Sequence, residues 1–227
     1  MTILQIPAMR IIFIPGLGED ELIFSKLIPL IDGEKVVLNT WQLLGDQPRG
    51  KTNALEFAKE VMKRYHITKE DVIIGHSMGG LIAYCLKMLT GCRIVQIASY
   101  TNHDRLIVPI SSHTLIKMGV KSRIFFNPLV KWLIVKMQYN KKPSKGVLSY
   151  VFDLLKEGNK HNVINQLKVA LTPLKINTSI QPDLRIHSRG DKIVRPPKES
   201  YYEVPGDHFS LFTHPEQVAA AINQFFR

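Results

Sequence analysis

The sequence of 227 residues predicts an α/β fold in which a mostly parallel sheet of about six strands is flanked by helices and interrupted by a helical insertion. Two observations predict this fold. Short apolar runs rich in β-branched residues alternate with longer amphipathic segments, and such alternation requires crossover connections that build a parallel sheet. The alternation stops after Ser99 and resumes only at Leu184, which indicates that the residues between them form the insertion.

Four of the predicted strands lie in the first half of the chain. Each is a short, mostly apolar run that ends at glycine or polar residues, as buried parallel strands do. These strands are predicted over residues 11–14, 35–39, 72–75 and 93–99. Between them, the spacing of apolar residues predicts helices over 20–31, 55–65 and 77–90, with Thr52 or Asn53 as the cap of the second helix.

The second half of the chain contains the insertion and then the last two strands. Residues 1–100 and 176–227 are predicted to form the core, and residues 101–175 a helical, basic lid inserted into it. Within the insertion we expect an exposed turn over 141–146. Helices are predicted over 127–138, over 149–171 with an interruption at Gly158 and Asn159, and over 214–226; strands are predicted over 184–187 and 201–204.

The positive charge of the chain is concentrated in the insertion. The formal net charge is +11, and residues 101–175 contain 13 of the 30 Lys and Arg but only 3 of the 19 Asp and Glu. The basic character therefore belongs to one region and not to the whole fold. Apolar helices rich in lysine can rest on an anionic lipid surface, so contact with such a surface or with an anionic substrate is a hypothesis. Nucleic-acid binding is not expected, because no reading motif is present.

The cysteines, the N-terminal residues and the spacing of possible metal ligands indicate whether a disulfide, a secretory signal or a metal is expected. Cys85 and Cys92 fall in a predicted helix and at the start of a predicted strand, where they are typical of reduced thiols. The N-terminus has no basic segment followed by a long apolar run, so we expect no secretory signal and a cytoplasmic location. No pair of His, Cys or carboxylate residues has the spacing of metal ligands, so neither a metal nor a cofactor is expected.

A candidate nucleophile follows the third predicted strand. Gly75-His76-Ser77-Met78-Gly79 matches the Gly-x-Ser-x-Gly motif, and it lies between an apolar strand and a helix, as that motif requires. The turn is so sharp that the positions flanking the serine must lack side chains. The alternative is a serine that only caps a helix, since short motifs also occur by chance.

Two further residues favour the catalytic interpretation. A serine hydroxyl needs a base within hydrogen-bond reach, and His208 follows the last predicted strand. Asp191 follows the strand over 184–187, next to Gly190, and is the predicted acid; Asp104 is its rival. His76 and His187 are expected to pack or to support neighbouring loops.

With these motifs, the chain from Met9 to its C-terminus resembles the α/β-hydrolase superfamily, with the first two family strands missing and the insertion in the lid position. The resemblance implies Ser77 as nucleophile, His208 as base and Asp191 as acid. It implies an oxyanion hole formed by the backbone N–H groups of Leu17 and Met78. The family usually has His-Gly where this chain has Pro15-Gly16, which removes a histidine that often braces the loop.

The implied activity is hydrolysis of carboxylic esters or related acyl compounds, with a small acyl ester as substrate. Lid residues usually line the substrate pocket, so Phe125, Phe126 and Trp132 are candidates to contact the acyl group, although such residues often only pack the lid against the core. The same triad types also serve thioesterases, carbon-carbon bond hydrolases and cofactor-free haloperoxidases. A ligand-binding module without catalysis is a further alternative, because fold alone does not fix function.

Overall fold

The computed structural model describes residues 10–107, 139, 142–175, 177 and 179–226, and the elements below are numbered in chain order over these residues. The strands are β1 Arg10–Ile14, β2 Glu34–Val37, β3 Val72–His76, β4 Arg93–Ile97, β5 Leu184–His187 and β6 Tyr202–Glu203. The α-helices are α1 Thr40–Leu44, α2 Ala54–Tyr65, α3 Met78–Thr90, α4 Lys145–Glu157, α5 Lys160–Leu171, α6 Ser210–Thr213 and α7 Pro215–Phe226.

The six strands form one parallel sheet in the order β2-β1-β3-β4-β5-β6. Strand β2 lies on one side of β1, at the edge of the sheet. Strand β3 lies on the other side of β1, and β4, β5 and β6 follow it in order toward the opposite edge. The order of the strands therefore changes direction between β1 and β3, and ligands of open α/β sheets bind outside the carboxyl ends of the strands at such a point. The predicted fold class, a parallel sheet of six strands, is confirmed.

Successive side chains of a strand point to opposite faces, and in the central strands β1, β3 and β4 both faces are buried, whereas the edge strands β2 and β6 are largely exposed. Ile11 and Phe13 of β1 belong to a hydrophobic cluster that includes residues of α4 and α7. Ile12 and Ile14 belong to the cluster on the other face, which is formed largely with α2 and α3. Two covered faces explain why the strands contain continuous apolar runs and not an alternating pattern.

Two predicted helices differ in the structure. The segment predicted as a helix over 20–31 forms two short 3-10 turns, Glu21–Phe24 and Ile28–Leu30, because Pro29 lacks an N–H and disfavours a continuous α-helix before it. The helix predicted over 214–226 is preceded by the separate short helix α6, and α7 begins with Pro215 at its first position, where a missing N–H costs nothing.

The described part of the insertion consists mainly of α4 and α5, which break at Gly158 and Asn159 as predicted but begin earlier than predicted. Asn159 caps α5 by accepting a hydrogen bond from the backbone N–H of His161 at 2.8 Å. The helix predicted over 127–138 lies outside the described residues. No helix in the described ranges is long and apolar enough to cross a membrane.

Helix α5 docks on the core through buried amides. The Asn165 side chain is fully buried; it donates to the Gln47 carbonyl at 2.9 Å and accepts from the Arg49 N–H at 3.2 Å. Asn162 donates to the Trp41 carbonyl at 2.7 Å. These contacts join α5 to backbone groups of α1 and of the loop that follows it.

We expect Asn165→Ala to lower the free energy of unfolding by about 1–3 kcal/mol, because the backbone groups that contact the amide lose their partner. Urea unfolding followed by circular dichroism measures the change. Lys156→Ala, at an exposed position of α4, is the control and should change stability by less than about 0.5 kcal/mol. A loss in Asn165→Ala no larger than that of the control would contradict the prediction.

Candidate active site

Ser77 lies in a strained turn between β3 and α3. Its backbone angles are φ 52° and ψ −120°, a region that residues with side chains rarely adopt. The turn is held by hydrogen bonds from the Ser77 N–H to the Ile97 carbonyl at 3.0 Å and from the Ser99 hydroxyl to the Ser77 carbonyl at 2.6 Å. Ser77 is partly exposed, whereas its neighbours His76 and Met78 are buried. The turn therefore presents the hydroxyl at the carboxyl edge of the sheet, as the motif predicts.

Glycine is required around Ser77 because three backbones meet there. A Cβ atom at Gly79 would overlap the carbonyl oxygen of Ile14 in β1. A Cβ atom at Gly75 would overlap the carbonyl group of Gly79. The Gly-x-Ser-x-Gly pattern thus reflects close packing of β1, β3 and α3.

His208 and Asp191 form a buried pair at the same edge of the sheet. The Nδ1 atom of His208 lies 2.8 Å from Oδ2 of Asp191, and both residues are less than 5% exposed. The other carboxylate oxygen of Asp191 accepts from the backbone N–H groups of Ile193 at 2.7 Å and Val194 at 2.9 Å. The carboxylate orients the ring so that Nδ1 carries a proton and Nε2 can act as a base.

The Asp191 carboxyl group and the His208 ring are buried side by side, and the pKa values of both residues are shifted. Burial by itself raises the pKa of Asp191, but the charge of His208 and the hydrogen bond to it outweigh burial, so the pKa lies below its usual value. Burial lowers the pKa of His208, but the Asp191 charge and hydrogen bond outweigh this effect and hold the pKa above its usual value. Glu19 and Asp207 raise it further.

The structure brings Asp191, and not its rival Asp104, to His208. The Asp104 side chain is 50% exposed and pairs with Arg105 at 3.3 Å. His187 is buried and its Nε2 atom lies 3.1 Å from the Val194 carbonyl, which ties the loop that contains Asp191 to the end of β5. Burial lowers the pKa of His187. The expected supporting place of His187 agrees with this geometry.

The two predicted oxyanion donors lie on the loop after β1 and at the start of α3. Among the described residues, no acceptor is hydrogen-bonded to the backbone N–H of Leu17 or Met78. The N–H groups on either side of Leu17 are occupied: Gly16 donates to Glu19 at 2.6 Å and Gly18 donates to Gln166 of α5 at 2.7 Å. Within the described ranges, both predicted donors are thus without an acceptor, and the loop that contains Leu17 is held at both sides.

Some predicted contacts are not formed or lie elsewhere. Within the described part of the chain, Ser77 Oγ makes no hydrogen bond to the His208 ring, and catalytic hydrogen bonds often tighten only when substrate binds. Phe125, Phe126 and Trp132, the predicted pocket residues, lie outside the described residues. The two thiols are buried, and burial raises the pKa of Cys85 to about 12, so this thiol is not an activated nucleophile.

Of the exposed turn predicted over 141–146, the structure describes residues 142–146: Pro143, Lys145 and Gly146 are exposed as predicted, whereas Ser144 is not. Ser144 is fully buried, and its hydroxyl donates to Oδ2 of Asp207, the residue before the histidine. Lys142 lies 3.6 Å from the same oxygen and donates to the Gly190 carbonyl at 3.1 Å. Through these polar contacts, the start of α4 is joined to the two loops that contain Asp191 and His208.

Glu19 and His76 form a second buried pair that the sequence analysis did not identify as part of the site. His76 Nδ1 lies 2.8 Å from Glu19 Oε2, and His76 Nε2 lies 2.8 Å from the His208 carbonyl oxygen. The signal in the sequence was weak, because Glu19 is the first of three consecutive acidic residues after Gly18 and nothing local distinguishes it from the other two. Only the fold brings it to a histidine 57 residues away.

Glu19, His76 and His208 are also the described residues whose ligand atoms come close enough to hold a metal, within 4.8 Å of one another. Both ring nitrogens of His76 are already engaged, one by the Glu19 carboxylate and one by a carbonyl oxygen. A cation could bind His76 only by breaking one of these hydrogen bonds. The arrangement fits a hydrogen-bond network better than a metal site.

Solved structures share the fold over nearly the whole chain. An enol-lactonase from Burkholderia xenovorans LB400 superposes with a TM-score of 0.73 at 15% identity, covering 96% of this chain and 91% of its own. A thermophilic esterase from Thermogutta terrifontis gives 0.69 at 16% identity, with 97% and 90% covered. A thioesterase from the prodiginine pathway of Streptomyces coelicolor gives 0.57 at 17% identity, with 96% and 90% covered.

No family model and no curated protein matches the sequence. The likeness is therefore one of structure at low sequence identity. The chain has the α/β-hydrolase fold, as its resemblance to that superfamily predicts.

We expect Gly79→Ala to destabilise the protein by more than about 3 kcal/mol or to prevent folding, since the added Cβ overlaps backbone that cannot move independently. Gly146→Ala is the matched control, because a Cβ atom there meets nothing within 4 Å in the first turn of α4, and it should be neutral or stabilise by up to about 1 kcal/mol. Thermal unfolding of both variants measures the difference. Equal melting temperatures would contradict the close approach at Gly79.

Proposed function

We propose that this protein is a serine hydrolase that cleaves carboxylic esters or related acyl compounds through an acyl-enzyme intermediate. The observation that carries the proposal is the buried His208–Asp191 hydrogen bond at the sheet edge where the strained turn presents Ser77. A histidine held in this way is oriented as a general base, and a serine needs such a base to become a nucleophile.

In the proposed reaction, Ser77 Oγ attacks the carbonyl carbon of the substrate and transfers its proton to Nε2 of His208. The carbonyl oxygen becomes an oxyanion, which accepts hydrogen bonds from the N–H groups of Leu17 and Met78. His208, whose positive charge Asp191 stabilises, then donates the proton to the leaving alcohol, and the acyl group stays on Ser77. A water molecule attacks the acyl-enzyme, with His208 again as base, and the free acid leaves.

The similar structures support an acyl substrate, since an esterase, an enol-lactonase and a thioesterase are among them. Ester, thioester, carbon-carbon bond and haloperoxidase chemistry differ in the substrate and not in the triad, so substrate profiling is needed to choose among them. Contact of the basic insertion with an anionic lipid or substrate stays a prediction. We also propose a cytoplasmic location, which the free thiols of Cys85 and Cys92 support.

Fluorophosphonate probes test the proposal because they phosphonylate only an activated serine. We expect the purified protein to be labelled at Ser77, as shown by peptide mapping, and Ser77→Ala to abolish the labelling. His208→Ala should slow it by at least about 10³-fold, because the hydroxyl loses its base.

Ser179→Ala, at an exposed serine, is the control and should label at the rate of the unmodified protein. Labelling at another residue would refute the assignment of Ser77. If the protein is not labelled and p-nitrophenyl esters of short and medium acyl length are not cleaved, the ligand-binding alternative is favoured over the hydrolase.

The pH dependence of labelling tests the environment of His208. Only the neutral ring accepts the proton of Ser77, and the pKa of His208 is raised, chiefly by Asp191, against the lowering effect of burial. The labelling rate should therefore rise with pH and reach half its maximum above about pH 6.5, the usual value for histidine. Rates measured across about pH 5 to 9, with folding checked by circular dichroism, give this midpoint. A midpoint below that value would contradict the stabilising role of Asp191.

A further inference from the structure

Glu19 occupies the point where the loop after β1 meets the nucleophile turn. Its side chain is 3% exposed, and Oε2 accepts a hydrogen bond from the Gly16 N–H at 2.6 Å. The Glu19 carbonyl accepts from the Trp41 indole N–H at 3.0 Å, so the residue is held by its backbone as well. The hydrogen bond between the Gly16 N–H and the Glu19 carboxylate bridges the segment that contains Leu17. It therefore fixes the backbone whose N–H group we assign to the oxyanion hole.

His76 continues this link to the loop of the proposed base. A carbonyl oxygen can only accept, so the contact between His76 Nε2 and the His208 carbonyl requires a proton on Nε2. The contact between His76 Nδ1 and Glu19 then contains one proton more, either on the ring beside a carboxylate or on the carboxyl group beside a neutral ring. In both cases the hydrogen bond is complete and buried, which makes it strong and directional.

We propose that Glu19, acting through His76, is a positioning residue that fixes the oxyanion loop and the His208 loop relative to each other. The inference rests on the proposed function, because it assigns a role in the assembly of that same site. Glu19 does not touch the reacting atoms. It reaches the Leu17 loop through the Gly16 N–H and the His208 backbone through His76, so it joins two parts of the site that come from opposite ends of the chain.

The geometry explains why burial of this carboxylate is tolerated. A carboxylate without partners would be strongly disfavoured at this depth, whereas Glu19 Oε2 accepts from the Gly16 N–H and shares a hydrogen bond with His76 Nδ1. The first contact lies within the loop after β1, and the second reaches the end of β3. Glu19 therefore serves its own loop and the contact with His76 together.

The test compares the second-order rate of fluorophosphonate labelling at Ser77 among folded variants. Glu19→Ala should lower this rate by about 10- to 100-fold, because small displacements of catalytic groups have effects of this size. Glu19→Gln should also lower the rate, because one amide atom cannot both accept from the Gly16 N–H and donate to His76 Nδ1, the two contacts that Oε2 makes. Glu21→Ala, an exposed acid two residues further on, is the matched control and should not change the rate.

A double-mutant cycle separates positioning from packing. If Glu19 acts through His76, then His76→Ala should lower the rate as much as Glu19→Ala does, and the double variant should be no slower than either single variant by more than about 2-fold. Independent packing roles would instead multiply the two losses. Additive losses, or a Glu19→Ala rate equal to that of the unmodified protein, would overturn the inference.

The outcomes also distinguish this inference from the proposed function. If the unmodified protein is labelled at Ser77 and Glu19→Ala is labelled equally fast, only the positioning role is refuted. If the unmodified protein is not labelled and does not cleave p-nitrophenyl esters, both are refuted. Should Glu19→Ala not fold, His76→Ala breaks the same link from its other end and decides the matter; if neither folds while Glu19→Gln labels at full rate, the role is structural and the inference is overturned.

Discussion

The close approach of three backbones around Ser77 is the constraint on which the rest of the site depends. The turn between β3 and α3 holds Ser77 at a positive φ, and it has room to do so only because glycines face β1 and α3. Buried polar groups then support the strained turn: the Ser99 hydroxyl donates to the Ser77 carbonyl, and the Gln96 amide donates to the Gly80 carbonyl at 2.9 Å. A strained backbone conformation persists only where the surrounding packing and hydrogen bonds leave the chain no alternative.

The described part of the helical insertion contacts the loops that form the candidate site. At one end, Ser144 and Lys142 contact Asp207 beside the proposed base. At the other end, Gln166 of α5 is fully buried and accepts the Gly18 N–H beside the proposed oxyanion donor. The described helices of the insertion are thus attached to both loops that complete the site, and they are fixed to the core by buried amides such as Asn165. The positions of these helices therefore depend on the positions of the two loops of the candidate site, and the reverse also holds.

Buried charge in this site is balanced locally. Asp191 faces His208 and accepts two backbone N–H groups, and Glu19 faces His76 and accepts one. Each carboxylate is paired with a histidine, and each pair ties a loop in place. Paired and hydrogen-bonded carboxylates avoid the large cost of burying a lone charge, so a small fold can keep two acids in its interior.

The sequence by itself determined the parallel sheet, the glycine-flanked turn at Ser77 and the order of Ser77, Asp191 and His208 along the chain. These features follow from local rules: apolar runs that suit buried strands, glycines at a sharp turn, and polar residues directly after strands. Local signals were misread only in places, as at Pro29, where the chain forms two 3-10 turns instead of one helix. Only the tertiary structure decided between Asp191 and Asp104 as the partner of His208, brought Glu19 to His76, and placed Gln166 on Gly18. Such contacts join residues far apart in sequence, and no local pattern encodes them, because their distances exist only once the sheet and its loops are assembled.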